Sequence, residues 1–225
     1  MGGNARLRRV FLCAPAFVES SQGAGPLSAK RRPSTRRAER AAWLTAPILL
    51  AGLVHVAVIT LDLAPGLARP IDAGRRWRAR PLLGNNKTWR GFVVMPAATA
   101  ITITAQQILA TQSSHLAALA PLRGHAPAPW IVGAMCGAAY VVAELPNSFV
   151  KRRLGIAPGT SAARARVAQY IVDQLDSVVG CAVAIRMLYR IETVDAAASA
   201  ILGAAFHVGV ERFMRMLPRG SRASR

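Results

Sequence analysis

Apolar residues gather in five long runs, at 42–63, 92–110, 129–145, 167–187 and 194–210. Each is close to the ~20 residues a helix needs to cross the hydrocarbon of a bilayer. The first run ends at Asp62, Pro65 and Gly66. Thr99, Thr102 and Thr104 fall inside the second, where a hydroxyl bonds back to a helix carbonyl and so does not disqualify the span. Gly133, Gly137, Ala138 and Ala139 give the third run small residues that let a neighbouring helix approach closely. The pattern predicts an all-α integral membrane protein of about five transmembrane helices. Residues 43–218 are expected to form the membrane domain, 1–42 a disordered basic tail and 219–225 a short basic tail. The apolar patch at 10–18 is short and contains Pro15, so it is read as part of the tail rather than as a signal peptide.

The segments between the runs alternate in charge. Residues 69–91 hold Arg69, Arg75, Arg76, Arg78, Arg80, Lys87 and Arg90, with Asp72 the sole acid. The linker 111–128 carries only Arg123, 151–166 is basic again, and the C-terminal segment is basic. The positive-inside rule then places the three basic segments in the cytoplasm and the N-terminus outside. The basic tail argues the other way and is outvoted by the three agreeing segments.

Composition narrows the classes further. The chain has 225 residues, 52% hydrophobic and only 6% aromatic, with a formal net charge of +19. A soluble nucleic-acid binder is rarely so apolar, whereas a membrane protein with basic faces fits both numbers. No nucleic-acid partner is expected. Anionic headgroups and nucleotide phosphates become the natural partners. Cys13, Cys136 and Cys181 show neither a disulfide framework nor zinc-ligand spacing.

Three constellations carry candidate chemistry. Asp173 and Asp176 are three apart, so they share one face of a helix that otherwise reads as a span. Charges there are costly and point to function. Glu144 is a third carboxylate, or else a helix-end acid paired with a nearby Arg. Lys151, Arg152 and Arg153 offer phosphate-binding charge, or else a topology signal. The stretch from Leu83 to Gly91 combines Gly84, Asn86, Lys87, Thr88 and Arg90 but lacks P-loop spacing; alone it reads as an interfacial loop anchored by Trp89. His55 and His207 read as packed or hydrogen-bonded residues rather than ligands.

Together, Pro70-Ile71-Asp72, the stretch Gly84-Asn85-Asn86-Lys87-Thr88-Trp89-Arg90-Gly91, the stretch Ser148-Phe149-Val150-Lys151-Arg152-Arg153-Leu154-Gly155 with Pro158-Gly159, and Asp173-Gln174-Leu175-Asp176-Ser177 resemble CDP-archaeol synthase. That family is the archaeal relative of phosphatidate cytidylyltransferase. The resemblance covers residues 43–218. It implies a five-helix membrane enzyme, in the cell membrane with a cytoplasmic active site, that transfers CMP from CTP to a lipid phosphate with magnesium (Mg2+) and releases pyrophosphate. It assigns catalysis to Lys87, Arg90, Lys151 and Arg152. Substrate binding falls to Asp72, Gly84, Asn86, Thr88, Ser148, Arg153, Pro158 and Gly159. The metal falls to Asp173, Asp176 and Glu144, while the neutral Asn147 stands where a relative would carry a second acid.

The acceptor's chains are expected to be read by the spans 92–110 and 129–145. A homodimer is also among the expectations. The competing reading is a membrane transporter or channel for an anionic solute, though no inverted repeat is visible. A structural anchor would not explain Asp173 and Asp176.

Overall fold

The computed structural model describes residues 33–121, 127–157, 160 and 166–216; the segments 1–32 and 217–225, with Arg123, Pro158 and Gly159, lie outside the described residues. The chain forms α1 (Pro33–Thr60), α2 (Trp89–Ala110), a short α3 (Ser114–Leu119), α4 (Pro129–Arg153), α5 (Arg166–Tyr189) and α6 (Thr193–Met216). The five apolar runs are thus five helices, each of 22 to 28 residues. Among the described residues α1, α2, α4 and α6 are long and apolar enough to cross a membrane. α5 has the length but carries Asp173, Asp176 and Arg186. It packs its polar face against α4 and is flanked by α6. Large apolar side chains such as Ile101 and Ile201 are 69% and 72% exposed on the outside of the bundle. An outer face of that kind suits hydrocarbon, so this is an all-α membrane protein.

Residues 33–42, expected in a disordered tail, are instead the first turns of α1. Their polar composition hid the helix, which tertiary partners hold: Arg40 donates to Asp195 of α6 at 3.0 Å, and Glu39 lies 3.5 Å from His115 of α3. Pro47 lies within α1 and has no N–H to give the carbonyl of Trp43. Gln106 of α2 supplies the missing donor at 2.6 Å.

α4 sits at the centre, with α2 on one side and α5 on the other. The α2–α4 seam is made by absence of side chains. A Cβ on Gly133 would come within 2.5 Å of the backbone of Thr99 and Ala100, and one on Gly137 within 2.5 Å of Met95 Oxygen of the main chain. Thr99 and Thr102 bond back to Met95 and Ala98 carbonyls, and Thr104 to Ala100, as the sequence predicts. The apolar core lies on either side of this seam: Leu44, Ile103, Val132, Cys136 and Ile185 in one cluster, Ala51, Met95, Ala98 and Val141 in another.

α4 runs eight residues beyond the end of its apolar run, so Lys151, Arg152 and Arg153 form its last turn, where cations offset the helix dipole. Gly155, at φ 76°, ends it: the Gly155 N–H reaches the Arg152 carbonyl at 3.2 Å and the Ile156 N–H reaches that of Lys151 at 3.0 Å. This is a Schellman closure, and it fixes the direction in which the three basic side chains leave the helix.

Candidate active site

The site is built at the end of the bundle where α1, α4 and α6 finish and α2 and α5 begin. The long loop 61–88 closes on itself there, through an antiparallel bridge between Pro70 and Thr88 and a bond from the Ile71 N–H to the Lys87 carbonyl at 2.9 Å. Asp72, expected to touch substrate, faces the loop's own backbone instead. It is 7% exposed, and its carboxylate accepts the N–H groups of Gly74 at 3.0 Å, Leu83 at 2.9 Å and Gly84 at 3.4 Å. An acid in a basic loop reads as chemistry in the sequence, but here it organises the turn at Gly84, whose φ of 101° suits glycine. The loop so formed presents Asn86, Lys87 and Thr88 to the bundle, where they line one pocket with His55 and Glu144.

Glu144, Asn147, Ser148 and Lys151 follow one another on a single face of α4. Lys87 forms an ion pair with Glu144. Lys151 pairs with Asp173 at 2.5 Å. Between these pairs the amide of Asn147 donates to Asp173 at 2.7 Å and to Asp176 at 2.8 Å. The result is a polar seam between α4 and α5 in which cations and carboxylates alternate around one amide. Charge-assisted bonds of this kind are strong when water is scarce.

Arg152 is 4% exposed, and its Nε and Nη1 have no hydrogen-bond partner. Buried guanidinium nitrogens without acceptors are costly, and an anion would satisfy them. Arg90 is also buried; it donates to Asp62 at 2.8 Å while its Nε is unpartnered. Ser148 is buried beside the seam.

Arg153, expected to bind substrate, is committed elsewhere. It donates to the carbonyls of Trp77 at 2.6 Å, Arg80 at 3.2 Å and Pro81, and lies over the rings of Trp77 and Phe149. It clamps a small hairpin, β1 (Arg76–Trp77) and β2 (Arg80–Pro81), against α4. The expected role of Pro158 and Gly159 lies outside the described residues.

No group of three His, Cys, Asp or Glu residues placed to hold a metal occurs among the described residues. Glu144, expected as the third ligand, is ion-paired with Lys87, as Asp173 is with Lys151. Asp173 and Asp176 still suit a hard divalent cation, because such ions often take one or two carboxylates and draw their other ligands from substrate phosphates and water. Asn147 is the residue that sequence reasoning set aside. Its one signal was spacing, three after Glu144 and four before Lys151 on the same helix face. His55 was likewise set aside, yet it lines the Lys87–Glu144 pocket. His207 is hydrogen-bonded, 2.7 Å from the Tyr140 hydroxyl, as expected.

A helical membrane protein with a half-buried seam of carboxylates and lysines beside a buried arginine fits proteins that handle phosphate at a bilayer. The chain belongs to the CarS-like CDP-archaeol synthase family, whose model matches residues 42–216. It is 35% identical to the CDP-archaeol synthase of Halorubrum lacusprofundi over 131 residues, 57% of this chain and 63% of that protein. It is 37% identical to that of Halobacterium salinarum over 116 residues, 51% of this chain and 57% of the relative. The chain therefore spans about three fifths of the length of these curated relatives. A solved structure of an intramembrane enzyme for archaeal membrane lipid biosynthesis shares the fold, with TM-score 0.51 and 26% identity, covering 76% of this chain and 92% of that one. The family does not favour an anion transporter or channel.

Proposed function

We propose that this protein transfers a cytidylyl group from CTP to the phosphate of a membrane lipid, giving a CDP-lipid and pyrophosphate. The observation that carries the reading is the α4–α5 seam, where Asn147 joins Asp173 and Asp176 between Lys87 and Lys151. The relatives' names point to an archaeol-type acceptor, and phosphatidic acid offers the same phosphomonoester.

An oxygen of the lipid phosphate forms the new bond to the α-phosphorus of CTP. The bond from that phosphorus to the α,β-bridging oxygen breaks, and the oxygen leaves with its electron pair as pyrophosphate. No covalent enzyme intermediate is needed, so positioning and charge neutralisation supply the rate. Lys87 and Lys151, now paired to Glu144 and Asp173, exchange those partners for phosphate oxygens. Arg152 brings a guanidinium whose Nε and Nη1 are buried without acceptors. Arg90 completes the cationic wall from the α2 side. Asp173 and Asp176 would hold Mg2+, which would supply positive charge to offset that of the phosphates. Asn147 keeps the two carboxylates at one spacing.

Labelled CTP, magnesium and a panel of lipid phosphates, followed by product analysis, test the reading. A lipid-linked CMP and an equal amount of pyrophosphate are expected. Failure with every lipid phosphate overturns it. We place the seam on the cytoplasmic side of the cell membrane, supported by the basic loops. Arg78→Cys and Thr160→Cys should label only after permeabilisation, and Arg123→Cys in intact cells; the reverse pattern overturns that orientation. A homodimer would show as twice the monomer mass in detergent-corrected light scattering.

A further inference from the structure

Deeper in the bundle than the polar seam lies a cavity of about 110 Å³, walled by α1, α5 and α6 with Tyr140 of α4. A void of that size holds on the order of ten water-sized spheres. Its walls are apolar, and several of its polar groups are already satisfied. The Thr45 hydroxyl donates to the carbonyls of Ala41 at 2.7 Å and Ser199 at 3.2 Å, the Ser199 hydroxyl donates to the carbonyl of Asp195 at 2.9 Å, and Tyr140 is bonded to His207. An apolar void with such a lining stays dry and accepts hydrocarbon.

Two observations say whose hydrocarbon. His55 lines this cavity and also the pocket of Lys87 and Glu144, so the two spaces share a wall at that side chain. Leu53 and Phe206 line the cavity yet are 44% and 36% exposed on the outer surface of the bundle, so a chain can enter sideways from the bilayer. Between α2 and α4, whose spans are expected to read the acceptor's chains, Gly133 and Gly137 bring the two backbones into contact, so a chain would not lie in that seam.

We propose that the cavity among α1, α5 and α6 holds one hydrocarbon chain of the acceptor lipid while its phosphate passes His55 to reach Lys87. The proposal rests on the function proposed above and deepens it by placing the tail. Small residues make the space, Ala182 on α5 and Ala200 on α6 among them.

The test is photolabelling of the full-length wild-type protein in nanodiscs, with phosphatidic acid or phosphatidylcholine carrying a mid-chain diazirine, followed by peptide mapping. Phosphatidic acid should label the cavity-lining parts of α1 and α6, and unlabelled phosphatidic acid should compete. Phosphatidylcholine should label only outer faces such as that around Ile101. Labelling confined to outer faces with both lipids, or equal cavity labelling by both, overturns the proposal. This readout needs no turnover, so an enzyme inactive on every lipid phosphate would sink the proposed function without deciding this result. For an active enzyme, Ala200→Phe or Ala182→Phe should lower kcat/KM for long-chain phosphatidic acid by about 10–200-fold and spare a short-chain analogue. Ile201→Phe, on the exposed face, should change neither. Equal losses for long and short chains in a correctly folded variant would also overturn it.

Discussion

Near its C-terminal end α4 meets α5 differently from the way its middle meets α2. Towards α2 it offers Gly133 and Gly137, and the two main chains touch. Towards α5, near its C-terminal end, it offers Asn147 and Lys151, and the helices are joined there by one ion pair and one amide. The first seam has a single packed arrangement, because nothing in it can be moved without moving backbone. The second is held by partners that phosphate can replace. The difference teaches that the rigid seam lies beside the adjustable one on the same helix, so the adjustable groups are held in place while their partners change.

The most severe way to break this contrast is to put a side chain into the rigid seam. Gly137→Leu should abolish the folded, monodisperse protein in detergent, since even a Cβ there would lie 2.5 Å from the Met95 carbonyl. Overpacking typically costs about 1–3 kcal/mol, and contact with backbone leaves few ways to relax. A normal melting curve for this variant would show that the seam is looser than described. Next comes the adjustable seam. Asp176→Asn should leave melting nearly unchanged but cut turnover by roughly 10²–10³, the scale set by losing one preorganised charge partner. Added magnesium should not restore it. Near-normal turnover would remove Asp176 from the site.

A smaller effect is expected of Asn147→Ala, which touches the carboxylates rather than the phosphates. A loss of about 10–100-fold in apparent metal affinity is the usual scale for such a support residue. Turnover should recover at high magnesium, unlike that of Asp176→Asn, and equal behaviour of the two variants would erase the distinction between ligand and support. The smallest change belongs outside both seams. Arg153→Lys removes the planar fork that holds the hairpin and its stacking on Trp77 and Phe149. It should lower stability by about 1 kcal/mol, with turnover changed little. A loss as large as that of Asp176→Asn would return Arg153 to the substrate.

The helices were legible because the bilayer imposes one length, and runs such as 92–110 and 194–210 have little else they can be. The first turns of α1 were not, because Arg40 and Glu39 look like tail residues until Asp195 and His115 arrive from far along the chain. At the site, the pair Asp173 and Asp176 was legible, since charge inside a span is conspicuous. Asn147 was not, because an amide carries no charge and its importance comes from two carboxylates on another helix. Asp72 was legible only in part: its charge is visible in the sequence, while the three N–H groups it accepts are not. The apolar cavity left no trace, because it depends on which residues are small on three helices at once.

The bond from Gln106 to Trp43 bears on how the protein is made as well as how it stands. Pro47 leaves the Trp43 carbonyl without its usual helical donor, and Gln106 carries a bare amide into the bilayer on α2. Each is costly in lipid alone and satisfied by the other. α1 therefore emerges during synthesis with an unmet carbonyl and cannot settle fully until α2 has followed it into the membrane. The two helices should enter as a hairpin, with the loop 61–88 as its bend. A Gln106→Leu chain, arrested after α2 and probed by cysteine cross-linking between the helices, should show α1 and α2 out of register, whereas the unaltered chain should show them paired.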